Sequence, residues 1–245
     1  MFLKKEFKSF GKRAIIFFVN DKQNIKEIVA IQSNFCENIQ NEFNYYIEDA
    51  IFTLKEITII FKNSPTNYLL NKIQTWIKNF DLNKGIIERS LWEIPVCFDL
   101  DFSKDLYEYF NNNKLDCDQY ISRFIKRTFN VYHYGFLPGF FYLRGLPKSL
   151  YLPRKATPSS SVEPGTLAVG GSYVGIYPQN SPGGWQRIGR CYYSFFNKSK
   201  NPPCFAKPGD RIIFKNIQLE EFNKKIISSA ARNKLPKSTP FEIIY

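Results

Sequence analysis

The chain has 245 residues, with 34 Lys and Arg against 22 Asp and Glu, so its formal net charge is 34 − 22 = +12. Hydrophobic residues make up 44% and charged residues 23%, the balance of a folded globular protein with enough apolar surface to build a core without disulfides or metal. The lysines are scattered and no nucleic-acid-binding signature is present, so the charge reads as a solvated basic surface and no nucleic-acid partner is expected.

In chain order, Met1 to Phe10 mixes Phe with Lys and lacks the unbroken apolar core of a signal peptide. Ala14 to Val19 is a short apolar run that predicts a buried strand. Ile25, Ile28, Val29, Phe35 and Ile39 then recur at helical spacing. Two strand-like pieces follow, Ala50 to Leu54 and Ile57 to Phe61. A second amphipathic helix carries Leu69, Ile73, Trp76, Ile77 and Phe80, with Ser64-Pro65-Thr66 as its start signal. Two helices on one face of a small antiparallel sheet would bury all these stripes.

The polar stretch Asp81 to Ser90 reads as a linker. Domains are therefore expected over residues 1–88 and 89–245. The second opens with a strand at Leu91 to Phe98, then short helices around Lys104 to Asn111 and Cys117 to Lys126, with Asp116 as N-cap of the latter. Beyond Asn130 short apolar runs are broken by Gly and Pro: Val131 to Tyr134, Thr166 to Val169, Val174 to Tyr177, Ile188 to Ser194 and Arg211 to Phe214. That texture predicts a closed or sandwiched β architecture. Phe241 to Tyr245 reads as an edge strand or a frayed tail. No run is long enough to span a bilayer.

The catalytic residue types are sparse. His133 is the only histidine, which excludes a multi-histidine metal site, and it lies in a strand-like run where packing is its expected role. Cys36, Cys97, Cys117, Cys191 and Cys204 are odd in number, widely spaced and form no C-x-x-C, the usage of reduced cytoplasmic thiols. There is no P-loop and no G-x-G-x-x-G.

What remains is glycine and proline crowded beside polar residues in four clusters: Gly135 to Leu143, Pro153 to Pro158, Gly170 to Pro178 and Ser181 to Arg190. Glycine lets a backbone approach a ligand closely, proline stiffens a loop, and arginine offers a planar fork to an anion. Four such clusters between residues 135 and 190 predict one composite site. Its candidate residues are Pro138, Gly139, Tyr142, Arg154, Thr157, Gly170, Gly171, Tyr177, Gly183, Gly184, Trp185 and Arg190.

The same clusters carry a resemblance. Gly135 to Leu143, Leu146 to Pro158, Gly170 to Pro178, Ser181 to Arg190, Pro208 to Phe214 and Leu219 to Phe222 resemble the motifs of the family of the 5-oxoprolinase B subunit, also called allophanate hydrolase subunit 1, which includes the Bacillus sporulation-kinase inhibitor. The resemblance implies an α+β fold, with a small α/β sandwich domain followed by a cyclophilin-like β-barrel domain. It implies partners, the 5-oxoprolinase C subunit with a related barrel and the A subunit, and a cytoplasmic, ATP-dependent opening of the small amide 5-oxoproline to L-glutamate. A kinase-binding regulator and a carboxyltransferase component related to urea carboxylase are the alternatives it leaves. The chain departs from the family pattern at Phe124, where a histidine is common, at Tyr173-Val174 in place of Gln-Thr, at Phe141 in place of Pro, and at Cys191 in place of Thr.

Overall fold

A computed structural model describes residues 3–19, 25–53, 55–80 and 86–244. The chain divides into two compact units, residues 1–89 with 242–245, and residues 90–241.

The first unit runs β1 (Leu3–Phe10), β2 (Ala14–Val19), α1 (Ile25–Glu42), β3 (Ile47–Phe52), β4 (Glu56–Phe61) and α2 (Asn67–Asn79). Its four strands form an antiparallel sheet in the order β1-β2-β4-β3. Alternation sends Ile15 and Phe17 of β2 and Ile57, Ile59 and Phe61 of β4 to one buried face. Phe35 and Ile39 of α1 and Leu69, Ile73 and Ile77 of α2 are buried as well. Phe35 meets Trp76 at 5.7 Å between ring centroids, which joins the two helices. Helix α2 starts where Thr66 accepts a hydrogen bond from the Leu69 N–H, satisfying a donor the first turn leaves open.

The expected linker lies partly outside the described residues, at 81–85. From Ile86 the chain is already in β5 (Ile86–Val96), so residues 86–90 are strand and not linker. Their alternation of exposed and buried residues, with Ile87 and Arg89 inward, supports an ordered backbone that polarity alone does not suggest.

The elements that follow are α3 (Lys104–Asn112), α4 (Cys117–Ile125), β6 (Thr128–Tyr134), β7 (Phe141–Arg144), a 3-10 turn at Lys148–Leu150, β8 (Ser159–Val162), β9 (Thr166–Gly170) and β10 (Tyr173–Ile176). Then come β11 (Ser181–Gly183), β12 (Gln186–Arg190), β13 (Arg211–Asn216), α5 (Leu219–Ile226), α6 (Ser229–Asn233) and β14 (Lys237–Ile244). Asp116 caps α4 by accepting from the Gln119 N–H at 3.0 Å. Eight strands pair in the order β12-β9-β10-β7-β6-β13-β5-β14, and β8 and β11 form a separate two-stranded antiparallel sheet. β13 and β5 are parallel.

The fold is α+β, as expected, but the barrel is not closed by a continuous ladder. β5 pairs with β13 over Leu91 to Val96 and has β14 as its other neighbour. It reaches β12 only beyond its own end, through one antiparallel bridge in which Cys97 and Arg190 exchange N–H···O bonds of 2.8 Å. β12 is also shorter than expected. After Arg190 the Cys191 N–H turns to the Gly165 carbonyl, so Cys191 to Ser194 leave the sheet. The inner face carries Ile94, Val96, Phe129, Val131, Leu143, Val169, Val174, Ile188 and Phe214, sealed by Leu106, Phe110 and Phe124 of α3 and α4.

One buried carboxylate organises the entry to this core. Asp210 accepts from the Ser90 N–H at 2.9 Å, the Trp92 indole N–H at 2.8 Å and the Lys207 N–H at 3.0 Å. The Pro208-Gly209-Asp210 motif thus ties the start of β13 to β5.

Candidate functional site

A cleft of about 460 Å³ lies on the second unit, lined by Phe136, Phe140, Tyr142, Arg154, Pro158, Gly170, Tyr173, Tyr177, Pro182, Gly183, Gly184 and Trp185. Strand alternation builds its floor. Phe141 and Leu143 of β7 point into the core, so Tyr142 faces the opposite side of the sheet. There Tyr142 packs against Phe140, Tyr173 and Trp185 at 5.0–5.7 Å. The glycines serve these walls. A Cβ at Gly170 would lie 2.5 Å from the Trp185 indole, and one at Gly183 would lie 2.2 Å from the Tyr177 hydroxyl. Close approach is indeed why glycine is there, but what approaches is an aromatic side chain of the chain itself.

Among the described residues, Arg154 is the only charged side chain in the cleft. Its flanking residues are tightly held. Gln186 donates from Nε2 to the Pro153 carbonyl at 3.1 Å, and the Lys155 N–H donates to the Gly184 carbonyl at 2.8 Å. Lys155 Nζ donates to Asp105 Oδ1 at 2.8 Å and to Ser159 Oγ at 2.9 Å. Asp105, buried on α3, also receives two hydrogen bonds from the Arg187 guanidinium. Among the described residues the Arg154 guanidinium itself has no hydrogen-bond acceptor or carboxylate partner. Burial raises the Tyr142 and Tyr177 hydroxyls above the ordinary tyrosine pKa, and the nearby Arg154 charge only partly opposes this. Both phenols keep their protons at neutral pH and are available as donors.

The structure brings together Tyr142, Arg154, Gly170, Tyr177, Gly183, Gly184 and Trp185 of the expected set. Pro138, Gly139, Thr157 and Gly171 are not in the lining. Pro138 and Gly139 shape the turn before β7, and Gly171 shapes the β9–β10 turn, where its N–H donates to the Leu152 carbonyl. Thr157 is exposed on the Arg154 segment. Arg190 is placed elsewhere. It pairs with Glu163, donates from Nε to the Pro164 carbonyl at 3.1 Å, and lies over the Phe102 and Phe222 rings at 5.7 and 5.9 Å. Its charge is consumed in tying β12 to the β8–β9 turn.

His133 is a packing residue. Its ring lies 4.6 Å from that of Tyr142, burial lowers its pKa, and Nδ1 faces the Tyr134 carbonyl at 3.1 Å. Of the departures from the family pattern, Phe124, Phe141, Val174 and Cys191 all lie in the core. Tyr173 alone is in the cleft, so it is the one departure that changes a cleft wall. Phe136, Phe140, Pro158, Tyr173 and Pro182 line the cleft without being candidates on sequence grounds. All five lie in or beside the four clusters, which is the signal that could have found them. Chemically, the arrangement can hold a small flat body between aromatic faces and an anionic group on one guanidinium.

The model of the carboxyltransferase domain, subdomain C and D, matches residues 5–206. The 5-oxoprolinase B subunit of Bacillus subtilis (strain 168) is 35% identical over 146 residues, which are 60% of this chain and 59% of that protein. The 5-oxoprolinase B subunit of Escherichia coli O157:H7 is 32% identical over 169 residues, 69% of this chain and 77% of that protein. The match to the Bacillus protein thus spans about 59% of its length. Among solved structures, the K. lactis urea amidolyase superposes with a TM-score of 0.69 at 17% identity, over 97% of this chain and 16% of that one, a likeness of fold.

Proposed function

The chain belongs to the carboxyltransferase C and D domain family that contains the 5-oxoprolinase B subunit, and on that premise we propose that it is the B subunit of an ATP-dependent 5-oxoprolinase. In this reading it opens 5-oxoproline to L-glutamate together with homologues of the A and C subunits.

The observation that carries the reading is Arg154, an arginine without a protein partner among the described residues, in a cleft walled by Tyr142, Tyr173, Tyr177 and Trp185. 5-oxoproline is a small, nearly planar lactam with one carboxylate. The arginine fork matches that carboxylate in two hydrogen bonds. The aromatic walls match the ring, and a protonated Tyr142 or Tyr177 can donate to the lactam oxygen. Among the described residues no carboxylate, thiol or imidazole lines the cleft. The chain therefore binds and orients, and proton transfer falls to groups brought by the partners.

The cleft lacks the P-loop form of nucleotide cradle. There consecutive backbone N–H groups at a glycine-rich turn entering a helix hold the phosphates, and here Gly170 and Gly183 instead accommodate the Trp185 and Tyr177 rings. ATP use is assigned to the assembly and no step of this chain is routed through it.

The test is reconstitution with the A and C subunits, measuring ATP-dependent glutamate formation while each chain is omitted in turn. The reading expects activity only with all three present. Undiminished turnover without this chain, or robust turnover by this chain alone, would reject it.

A further inference from the structure

Phe136 lines the cleft in a backbone conformation that a bulky side chain rarely adopts. Its φ is +65°. The Leu137 N–H donates to the Gly135 carbonyl at 2.8 Å, which makes Phe136 the centre of a three-residue γ-turn. With positive φ this turn is rare and strained, because the Cβ crowds the following carbonyl. Its surroundings hold it in place. The Gly135 N–H donates to the Phe140 carbonyl at 3.2 Å and the Phe140 N–H to the Leu137 carbonyl at 2.9 Å. Gly139, at φ +87°, sits where a Cβ would lie 2.6 Å from the Phe196 Cβ. Glycine or asparagine would occupy position 136 with less strain.

The Phe136 ring is not there to fill the core. It is 57% exposed, and it meets Phe140 and Tyr177 at 5.5 and 6.2 Å between centroids, both near a right angle. The other rings in the lining, Phe140, Tyr142, Tyr173, Tyr177 and Trp185, are buried or half-buried. Among the described residues of the lining, Phe136 is thus the one ring with most of its surface open, and Arg154 is exposed as well. Strain kept for the sake of an exposed ring in a cleft points to a ring that a ligand uses.

We propose that Phe136 contacts the ligand of the Arg154 cleft, packing on the outer side of a flat ring whose carboxylate Arg154 holds, and so selects cyclic, planar monocarboxylates over open-chain ones. The inference rests on the reading of the Arg154 cleft as the ligand site. The buried rings meet the inner side of the ligand, and the open surface of Phe136 adds the outer contact.

The test titrates the full chain with pyrrole-2-carboxylate, a planar cyclic acid, and with butyrate, an open-chain acid of the same charge, following the Trp185 indole signal by NMR where every variant is fully folded. Pyrrole-2-carboxylate should bind more tightly than butyrate. Phe136→Asn should weaken pyrrole-2-carboxylate about three- to tenfold, the effect of one aromatic contact, and butyrate less. Its Tm should not fall, because asparagine relieves the turn. Phe136→Tyr keeps the ring and should keep the wild-type affinity. Unchanged affinity for pyrrole-2-carboxylate in Phe136→Asn would overturn the inference. If that variant instead loses affinity only for the C subunit homologue, the ring is a docking anchor and the ligand contact is rejected. Arg154→Gln separates the two readings. If it leaves both acids unaffected, the cleft reading itself fails. If it weakens both while Phe136→Asn does nothing, only the Phe136 contact fails.

Discussion

Asp105 and Arg187 are joined by two parallel hydrogen bonds, from Nε to Oδ2 at 2.6 Å and from Nη2 to Oδ1 at 2.7 Å. With Lys155 added, one buried carboxylate on α3 connects β12 to the segment that presents Arg154. Asp105 is 5% exposed, whereas its partners keep more contact with water. Asp105→Asn should therefore destabilise the fold by about 2–3 kcal/mol, the low side for breaking a buried pair. Denaturant unfolding at neutral pH measures this.

The same contact sets an acid limit. Burial alone would raise the Asp105 pKa, but the hydrogen bonds from Arg187 and Lys155 outweigh it and hold the carboxyl below its ordinary 3.8. A depressed folded pKa gives stability that is fully present above the unfolded value and lost as pH falls through the folded one. The difference in Tm between wild type and Asp105→Asn should be constant above about pH 5 and shrink below about pH 4. A difference that instead grew on acidification would assign the effect to another group.

Gly170→Ala should disturb the cleft more than the core. The new Cβ would meet the Trp185 indole at 2.5 Å. The ring must move, at a cost of about 1–3 kcal/mol. Trp185 emission should change, and binding at the cleft should weaken more than stability falls. An unchanged tryptophan signal would contradict this account of the glycine.

The thiols should be inert in the native state. Burial pushes Cys191 up to about 12, and its Sγ lies 3.2 Å from the Gly165 carbonyl. Cys36, Cys97 and Cys117 are buried too, and Cys204 is the most accessible of the five. Thiol titration should label Cys204 first and the other four only on unfolding. Fast labelling of Cys191 would place it outside the core.

Regular local pattern made much of the fold legible. The stripe Leu69, Ile73, Ile77 behind the Thr66 cap, and Asp116 ahead of α4, are written in adjacent residues. So are the four clusters, because glycine and proline mark sharp backbone changes wherever they occur. What stayed hidden depends on distant partners. Arg154 and Arg190 both follow turn-forming residues and look equivalent in sequence. Only folding shows that Glu163 and the Phe102 and Phe222 rings engage Arg190, while Arg154 is left unpaired among the described residues. Asp105 and Arg187 are 82 residues apart, so their pairing has no local sign. The short strands β8 and β11 carry Ser and Pro and no apolar run, and β5 begins within a polar stretch.

The central claim is that the Arg154 cleft is where this chain serves an amide-opening assembly, and steady-state kinetics of the complex reconstituted with the A and C subunits test it most directly. Arg154→Lys keeps the charge and loses the two-pronged geometry, and Arg190→Lys makes the same change at the pair with Glu163. The account predicts that Arg154→Lys lowers kcat/KM for 5-oxoproline about 10- to 100-fold, the effect of roughly 1.5–3 kcal/mol, with Tm unchanged. Arg190→Lys should lower Tm and reduce activity only in proportion to folded protein. Wild-type kcat/KM in Arg154→Lys, alongside a specific loss in Arg190→Lys at full folding, would contradict it.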